Sequence, residues 1–251
     1  MAGKSKIEWT EQTWNPTTGC TKVSPGCKNC YAETLAKRLQ AMGANGYDNG
    51  FKLSIMEERL NQPLKRKIPT IYFVNSMSDL FHEGIDDAFL DRVFDVIRKT
   101  PHHTYQILTK RAERLPEYFG KKKLPKNVWL GVSVEDKKYG VLRINYLRRV
   151  KATVRFLSVE PLLQDIGEVN LKNIHWVIVG GESGPKARPM KPEWVENIRI
   201  QCEEQGAAFF FKQWGGWGAD GKKRSKTVNG REYNGRTWDE MPSAIALQGK
   251  E

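Results

Sequence analysis

The chain has 251 residues, a formal net charge of +12, 39% hydrophobic residues and 10% aromatics. That is enough apolar material for one large domain, and it excludes an intrinsically disordered chain or a small disulfide-stapled scaffold. No apolar run reaches transmembrane length and the opening MAGKSKIEWTEQ lacks the apolar core of a secretory signal, so the expectation is a soluble cytoplasmic protein whose thiols stay reduced.

A short strand is expected near residues 8–14. The stretch NPTTGCTKVSPGCKNCYAE, residues 15–33, then holds three of the four cysteines, Cys20, Cys27 and Cys30, in a C-x6-C-x2-C pattern. Residues 30–42 read as a helix with Tyr31, Leu35, Leu39 and Met42 on its apolar face and Gly43 as its stop. Residues 43–69 read as an insertion with a helix around 54–61. From there the chain alternates. The apolar runs TIYFVN (70–75), TYQILT (104–109), VWLGVSV (128–134), VRFLSV (154–159), HWVIVG (175–180) and AFFFKQW (208–214) read as parallel strands covered on both faces. Helices are predicted over 86–99, starting at Asp86 or Asp87, and over 192–205, with Pro192 in its first turn and Gly206 as its stop. Only the link between strands 154–159 and 175–180 lacks a helical pattern.

Strands alternating with helices predict a parallel sheet. No strand is followed by a G-x-G-x-x-G or G-x-x-x-x-G-K-[ST] loop, which argues against a dinucleotide or P-loop site. The expected fold is therefore an α/β partial (β/α) barrel of six or seven mostly parallel strands over residues 1–214. In such barrels the working residues stand at the C-terminal strand ends. Those ends here read Asn75-Ser76-Met77-Ser78-Asp79, Thr109-Lys110-Arg111, Ser133-Val134-Glu135-Asp136, Ser158-Val159-Glu160-Pro161, Gly180-Gly181-Glu182-Ser183 and Lys212-Gln213. Residues 215–251 form a Gly-, Lys- and Arg-rich appendage, hairpin-like, with Asn-Gly turns at 229–230 and 234–235.

Clustered thiols in a reducing compartment point to metal rather than to disulfides. A structural zinc site takes four protein ligands. The remaining cysteine, Cys202, lies on an apolar helix face, and none of His82, His102, His103 or His175 has ligand spacing to the cluster. Three thiolates on a [4Fe–4S] cluster would leave one iron open to a small molecule. Open iron–sulfur cluster, zinc and free thiols all remain open on spacing alone.

The pattern Asn15-Pro16-x-x-Gly19-Cys20 … Cys27-x-x-Cys30-Tyr31-Ala32 resembles the cluster loop of radical S-adenosylmethionine (SAM) enzymes, nearest the spore photoproduct lyase-like branch. The blocks FVNSMSDLFHE, QILTKR, VWLGVSVE, RFLSVEPLL, WVIVGGESGPKARPM and FFFKQWGG resemble a three-cysteine family met in phages and prophages, which would place the protein in the cytoplasm of the host cell. Two departures stand out. The first cysteine gap is six residues rather than three, and Asn29 replaces the usual aromatic before the third cysteine. The letters GGE at 180–182 match a SAM-binding motif but fall on a late strand, so that role does not transfer.

The resemblance implies a TIM-like radical SAM barrel with Cys20, Cys27 and Cys30 as ligands of a [4Fe–4S] cluster. SAM would chelate the open iron and be cleaved reductively to a 5′-deoxyadenosyl radical, the electron coming from a flavodoxin or ferredoxin. Ser76, Ser78 or Asp79 would bind the SAM amino group; Ser133 and Glu135 would suit its carboxylate and ribose. Lys110, Arg111, Glu160, Glu182, Arg188, Lys212 and Gln213 would meet substrate. The basic balance and the lyase-like loop together suggest DNA or RNA as that substrate, in repair or modification. Two alternatives remain: a radical SAM enzyme on a small anionic or peptide substrate, and a non-catalytic zinc-containing nucleic-acid-binding protein.

Overall fold

The computed structural model describes residue 5 and residues 7–242; the last part of the expected appendage, residues 243–251, lies outside the described residues. The strands are β1 (Gln12–Thr13), β2 (Thr17–Thr18), β3 (Ser54–Ile55), β4 (Ile71–Val74), β5 (Thr104–Thr109), β6 (Val128–Ser133), β7 (Val154–Val159), β8 (Trp176–Gly180), β9 (Ala208–Gln213), β10 (Glu232–Tyr233) and β11 (Arg236–Thr237). The α-helices are α1 (Tyr31–Ala41), α2 (Glu57–Leu60), α3 (Asp87–Lys99), α4 (Arg114–Phe119), α5 (Gly140–Arg148), α6 (Pro192–Gln205) and α7 (Lys226–Asn229). Seven strands make one sheet in the order β1-β4-β5-β6-β7-β8-β9. The fold class is thus α/β with the partial-barrel strand order, and the six apolar runs are its six longer strands.

Two compact units divide the described chain: residues up to 23, 30–131 and 149–153 in the first, and residues 24–29, 132–148 and 154 onward in the second. In the first, β1 pairs parallel with β4, and β4 with β5 in the register Tyr72 to Tyr105. These two tyrosine rings stack at 5.5 Å, and Trp9 meets Phe73 edge-on at 4.8 Å. Helix α3 starts because the Asp86 carboxylate accepts the Phe89 N–H at 2.7 Å, satisfying one of the orphan donors of its first turn. It buries Phe89, Leu90, Val93, Phe94 and Ile97, the face its periodicity predicts, and Val96 as well.

Helix α1 differs from the expectation. Tyr31, Leu35 and Met42 are 59%, 40% and 77% exposed, and the buried side is made by Ala32 and Ala36. The two alanines pack with Tyr47 and Met77, against which Cys30, Leu39, Ala44 and Phe51 lie. Small side chains let the helix lie close to the insertion, so its bulky residues turn outward.

In the second unit β7, β8 and β9 pair in parallel, with Trp176 opposite both Phe156 and Ala208. Trp176 is fully buried among Phe156 and Phe210. The link from β7 to β8 contains no helix, as expected. Its backbone is satisfied by two amide side chains on α6. Gln201 Oε1 accepts from Val169 N at 2.7 Å, Gln205 Oε1 accepts from Leu171 N at 2.7 Å, and Gln205 Nε2 donates to Val169 O at 3.0 Å. Gln205→Leu strips partners from both of the latter backbone groups. We expect it to cost about 1–3 kcal/mol of stability and to speed amide exchange at Leu171, read by hydrogen-exchange mass spectrometry.

The appendage packs on this unit. β10 and β11 form the expected hairpin, with Asn234 and Gly235 both at positive φ (49° and 75°), the geometry a two-residue primed turn needs. Phe211 N donates to Trp238 O at 2.9 Å and Trp214 Nε1 donates to Glu232 O at 2.8 Å. The returning chain therefore covers part of the β9 edge. Trp214 is buried against Phe211 and Tyr233.

Candidate active site

None of the four cysteines is in a disulfide: Cys20, Cys27 and Cys30 are part-exposed, whereas Cys202 is buried. Burial pushes the Cys202 thiol up to about 12, so it behaves as a small core hydrophobe. Cys27 ends a short 3-10 turn, Pro25–Cys27, in which its N–H donates to Ser24 O at 3.0 Å. Cys30 is the N-cap residue of α1.

In the first unit the loop's opening is tied to the end of β4. Asn15 Oδ1 accepts from Ser76 N at 2.8 Å and Met77 N at 3.0 Å, and Gly19 N donates to Met77 O at 2.9 Å. Gly19 sits at φ +78°, and a Cβ there would lie 2.1 Å from Lys52 O, so glycine is required. Asn75 Nδ2 donates to Thr17 Oγ1 and Ser78 Oγ at 2.8 and 2.7 Å. Asn75 Oδ1 is buried and has no hydrogen-bond partner among the described residues. Tyr31 OH donates to Ser76 O at 2.6 Å.

Asp79 lies at the same strand end, but its oxygens are used internally. Oδ1 accepts from Phe81 N and Thr109 Oγ1, and Oδ2 accepts from Lys110 N and Arg111 Nη1. Arg111 also donates to Glu83, to Thr21 and, from Nη1, to the Cys20 sulfur at 3.4 Å. Its hydrogen bond from Arg111 holds the Glu83 carboxyl down to about 2, against a burial effect that raises it. His82 is buried, with Nε2 3.0 Å from Thr21 Oγ1; burial and then the Arg111 charge push it below the usual imidazole range.

In the second unit residues Ser24–Asn29 are held by the ends of β6 and β8. Glu135 is fully buried; it accepts from Ser24 Oγ on one oxygen and from Arg143 Nη1 at 2.5 Å on the other. Gly26 packs so closely that a Cβ would lie 2.8 Å from the Glu135 side chain. Glu182 accepts from Asn29 Nδ2 at 2.9 Å and from Arg188 at N, Nε and Nη2. Arg188 Nη2 also donates to Pro25 O at 3.0 Å. Burial works to raise the Glu182 carboxyl, but its bonds to Arg188 and Asn29 leave it below the ordinary value. Glu135, Glu182 and Arg188 thus stand as anchors of the cysteine loop. Asn29, the departure from the usual aromatic, is the loop's side of that anchor.

Of the remaining expected residues, Lys212 Nζ pairs with Glu160 Oε1 at 3.0 Å, both part-buried, and Gln213 bonds Gly181 O and Ser183. Ser133 is buried, with its carbonyl accepting from Arg143 Nη1 at 2.8 Å. The appendage's basic run is partly engaged: Lys223 donates to Pro185 O and Arg224 pairs with Asp220. Sequence reasoning missed the roles of Asn15, Ser24, Glu83, Asn75 and Arg143. Asn15 and Ser24 stand inside the quoted loop, the signal that marks them. Arg143 carries no such mark.

An α/β partial barrel with a three-thiol loop fastened to strand ends is the class of protein this geometry defines. A family model matches residues 4–242, and the chain belongs to that family, DUF5131, described as a protein of unknown function. Among solved structures it is similar in fold to spore photoproduct lyase. A cysteine-to-serine mutant of that enzyme is 16% identical with a TM-score of 0.49, covering 72% of this chain and 58% of that one. A complex with dinucleoside spore photoproduct gives 12% and 0.45, covering 81% and 64%, and a double mutant with bound AdoMet and dinucleoside spore photoproduct gives 13% and 0.44, covering 72% and 58%. The chain spans less than two-thirds of each of these three structures. None of the curated proteins matches the chain. No helix among the described residues is long and apolar enough to cross a membrane.

Among the described residues no group of three or more His, Cys, Asp or Glu side chains is already drawn together as a metal centre. The donor chemistry nonetheless fits the cluster and SAM that the loop implies. The three thiols are part-exposed and not in disulfides, the Cys20 sulfur has a guanidinium beside it, and Asn75 offers an unpaired carbonyl acceptor next to Ser76 and Ser78.

Proposed function

We propose that this protein is a radical SAM enzyme that acts on nucleic acid, in repair or modification. One observation carries the reading. The C-x6-C-x2-C loop is fastened by side chains at strand ends in each unit: Arg111 to Cys20 and Thr21 in the first, Glu135 and Arg188 to Ser24 and Pro25 in the second. A loop that merely connected two elements would need no such set of charged anchors.

Cys20, Cys27 and Cys30 would hold the [4Fe–4S] cluster. When bound, the cluster and SAM supply the one-electron cleavage that starts radical chemistry, and a flavodoxin or ferredoxin supplies the electron. The chain's own residues bind and orient. Asn75, Ser76 and Ser78 offer oxygen acceptors to the SAM amino group, and Ser133 suits its carboxylate. Asp79 keeps Arg111 in place, and Glu135 and Glu182 keep the loop in place. Lys110, Lys212 and Gln213 are assigned to substrate, with Glu160 holding the Lys212 ammonium as a fixed cation for an anionic group. The +12 charge and the lyase-like cysteine loop favour nucleic acid over a small anionic substrate.

Iron and labile sulfide per chain, measured on anaerobically reconstituted protein, with EPR of the reduced form before and after SAM, test the reading. About four irons and a signal that SAM perturbs are expected. One zinc and no labile sulfide would end it. Binding to single-stranded DNA or RNA whose affinity falls steeply with salt is expected of the substrate assignment; salt-insensitive or absent binding would leave the small-substrate alternative.

A further inference from the structure

Arg111 is 8% exposed, and the hydrogen bonds of its guanidinium divide into two sets. One set fixes it. Nε donates to Glu83 Oε2 at 2.6 Å and Nη1 to Asp79 Oδ2 at 3.2 Å. Asp79 is itself held by Thr109 Oγ1 at 2.7 Å and by the N–H groups of Phe81 and Lys110 at 3.0 Å, so the cation rests on a braced carboxylate. The other set faces the cysteine loop: Nη2 donates to Thr21 Oγ1 at 2.7 Å and Thr21 O at 3.2 Å, and Nη1 reaches the Cys20 sulfur at 3.4 Å. The fourth partner is a sulfur on a half-exposed loop, 91 residues away in sequence.

We infer that Arg111 is a positioning residue for the first cluster ligand, holding Cys20 in place and raising the reduction potential of the cluster through an N–H···S bond and its fixed charge. The inference rests on the reading of Cys20, Cys27 and Cys30 as cluster ligands. Its physics is general. Reduction adds negative charge to the cluster, and hydrogen bonds to sulfur and nearby positive charge favour the reduced state. The planar fork matters as well as the charge, because Arg111 bridges Asp79, Glu83, Thr21 and Cys20 at once, which an ammonium on a flexible stem cannot do.

The experiment compares wild type, Arg111→Gln and Arg111→Lys after anaerobic reconstitution, with iron and sulfide counted first and the potential then read by EPR-monitored redox titration. Arg111→Gln removes the charge and leaves the Asp79 and Glu83 carboxylates behind. It is expected to become about tenfold harder to reduce, a negative shift of ~59 mV for a one-electron couple. Arg111→Lys keeps the charge, loses the fork and is expected to shift in the same direction by less. If Arg111→Gln does not hold a cluster, the Lys variant decides. Full iron with potentials equal to wild type in the variants that reconstitute overturns the inference and leaves the function standing. Wild type without iron overturns the function itself, before any potential is measured.

Discussion

Cys20→Ala, Cys27→Ala and Cys30→Ala are each expected to empty the protein of its iron, from about four per chain to less than one, and to abolish reductive cleavage of SAM. Three thiolates are the least that holds the cluster while leaving one iron open, so no ligand is spare. The fourth cysteine does not replace a lost one. Cys202 is buried on the apolar face of α6 with its thiol held protonated by burial, and a neutral thiol is a poor ligand. Cys202→Ala is therefore the matched control. It should keep full iron and lose only the modest stability of a small core side chain. Elemental analysis and the EPR spectrum of the reduced protein read all four variants. A single-cysteine variant of the loop that kept full iron and an unchanged spectrum would remove that residue from the ligand set, and with it the open-iron argument.

The parts of this outcome that were legible in the sequence are local ones. The sheet's six longer strands are continuous apolar runs, Asp86 and Gly206 mark helix ends, and Asn234-Gly235 marks a hairpin, because each signal lies within a few residues of the element it specifies. The cysteine loop was legible for the same reason. What was not legible depends on pairs distant in sequence. The anchoring roles of Glu182 and Asn29 join residues 153 apart, and the Arg111 contact with Cys20 joins residues 91 apart. Helix α5 was expected only as a helical stretch between strands 128–134 and 154–159, without bounds. Its buried face consists of Gly140, Arg143, Ile144 and Leu147, and the arginine among them interrupts the apolar period that would have fixed its limits. Helix α1 was predicted with Tyr31, Leu35, Leu39 and Met42 inward, because hydrophobicity favours Tyr31 and Leu35 over alanines; of the four only Leu39 packs inward. Close packing there favours Ala32 and Ala36.

That buried arginine leads to the second large effect. Arg143→Met is expected to destabilise the protein by about 3–5 kcal/mol, the usual consequence of leaving a buried charge without its partner. The side chains of Arg143 and Glu135 are 5% and 0% exposed, with Nη1 at 2.5 Å from Oε2. The same Nη1 donates to Ser133 O at 2.8 Å, so the substitution also strips a backbone carbonyl at the end of β6. For a chain of this length the loss corresponds to a fall in Tm on the order of 10 °C, measured by calorimetry or chemical denaturation. The consequence reaches the site, because the other oxygen of Glu135 accepts the Ser24 hydroxyl and Gly26 lies against its side chain. A carboxylate freed from Arg143 would turn toward water and carry Ser24 with it, loosening the turn that presents Cys27. Iron retention after dilution into chelator should therefore fall together with stability. Glu135→Gln tests the pair from the other side: its one amide oxygen can serve Ser24 or Arg143 but not both, and Arg143 is left as a buried charge without its carboxylate, so it should cost a comparable amount of stability and of iron retention. Unfolding of Arg143→Met within about 1 kcal/mol of wild type would show that the pair is no anchor, and the role assigned to Glu135 in holding the loop would have to be given up.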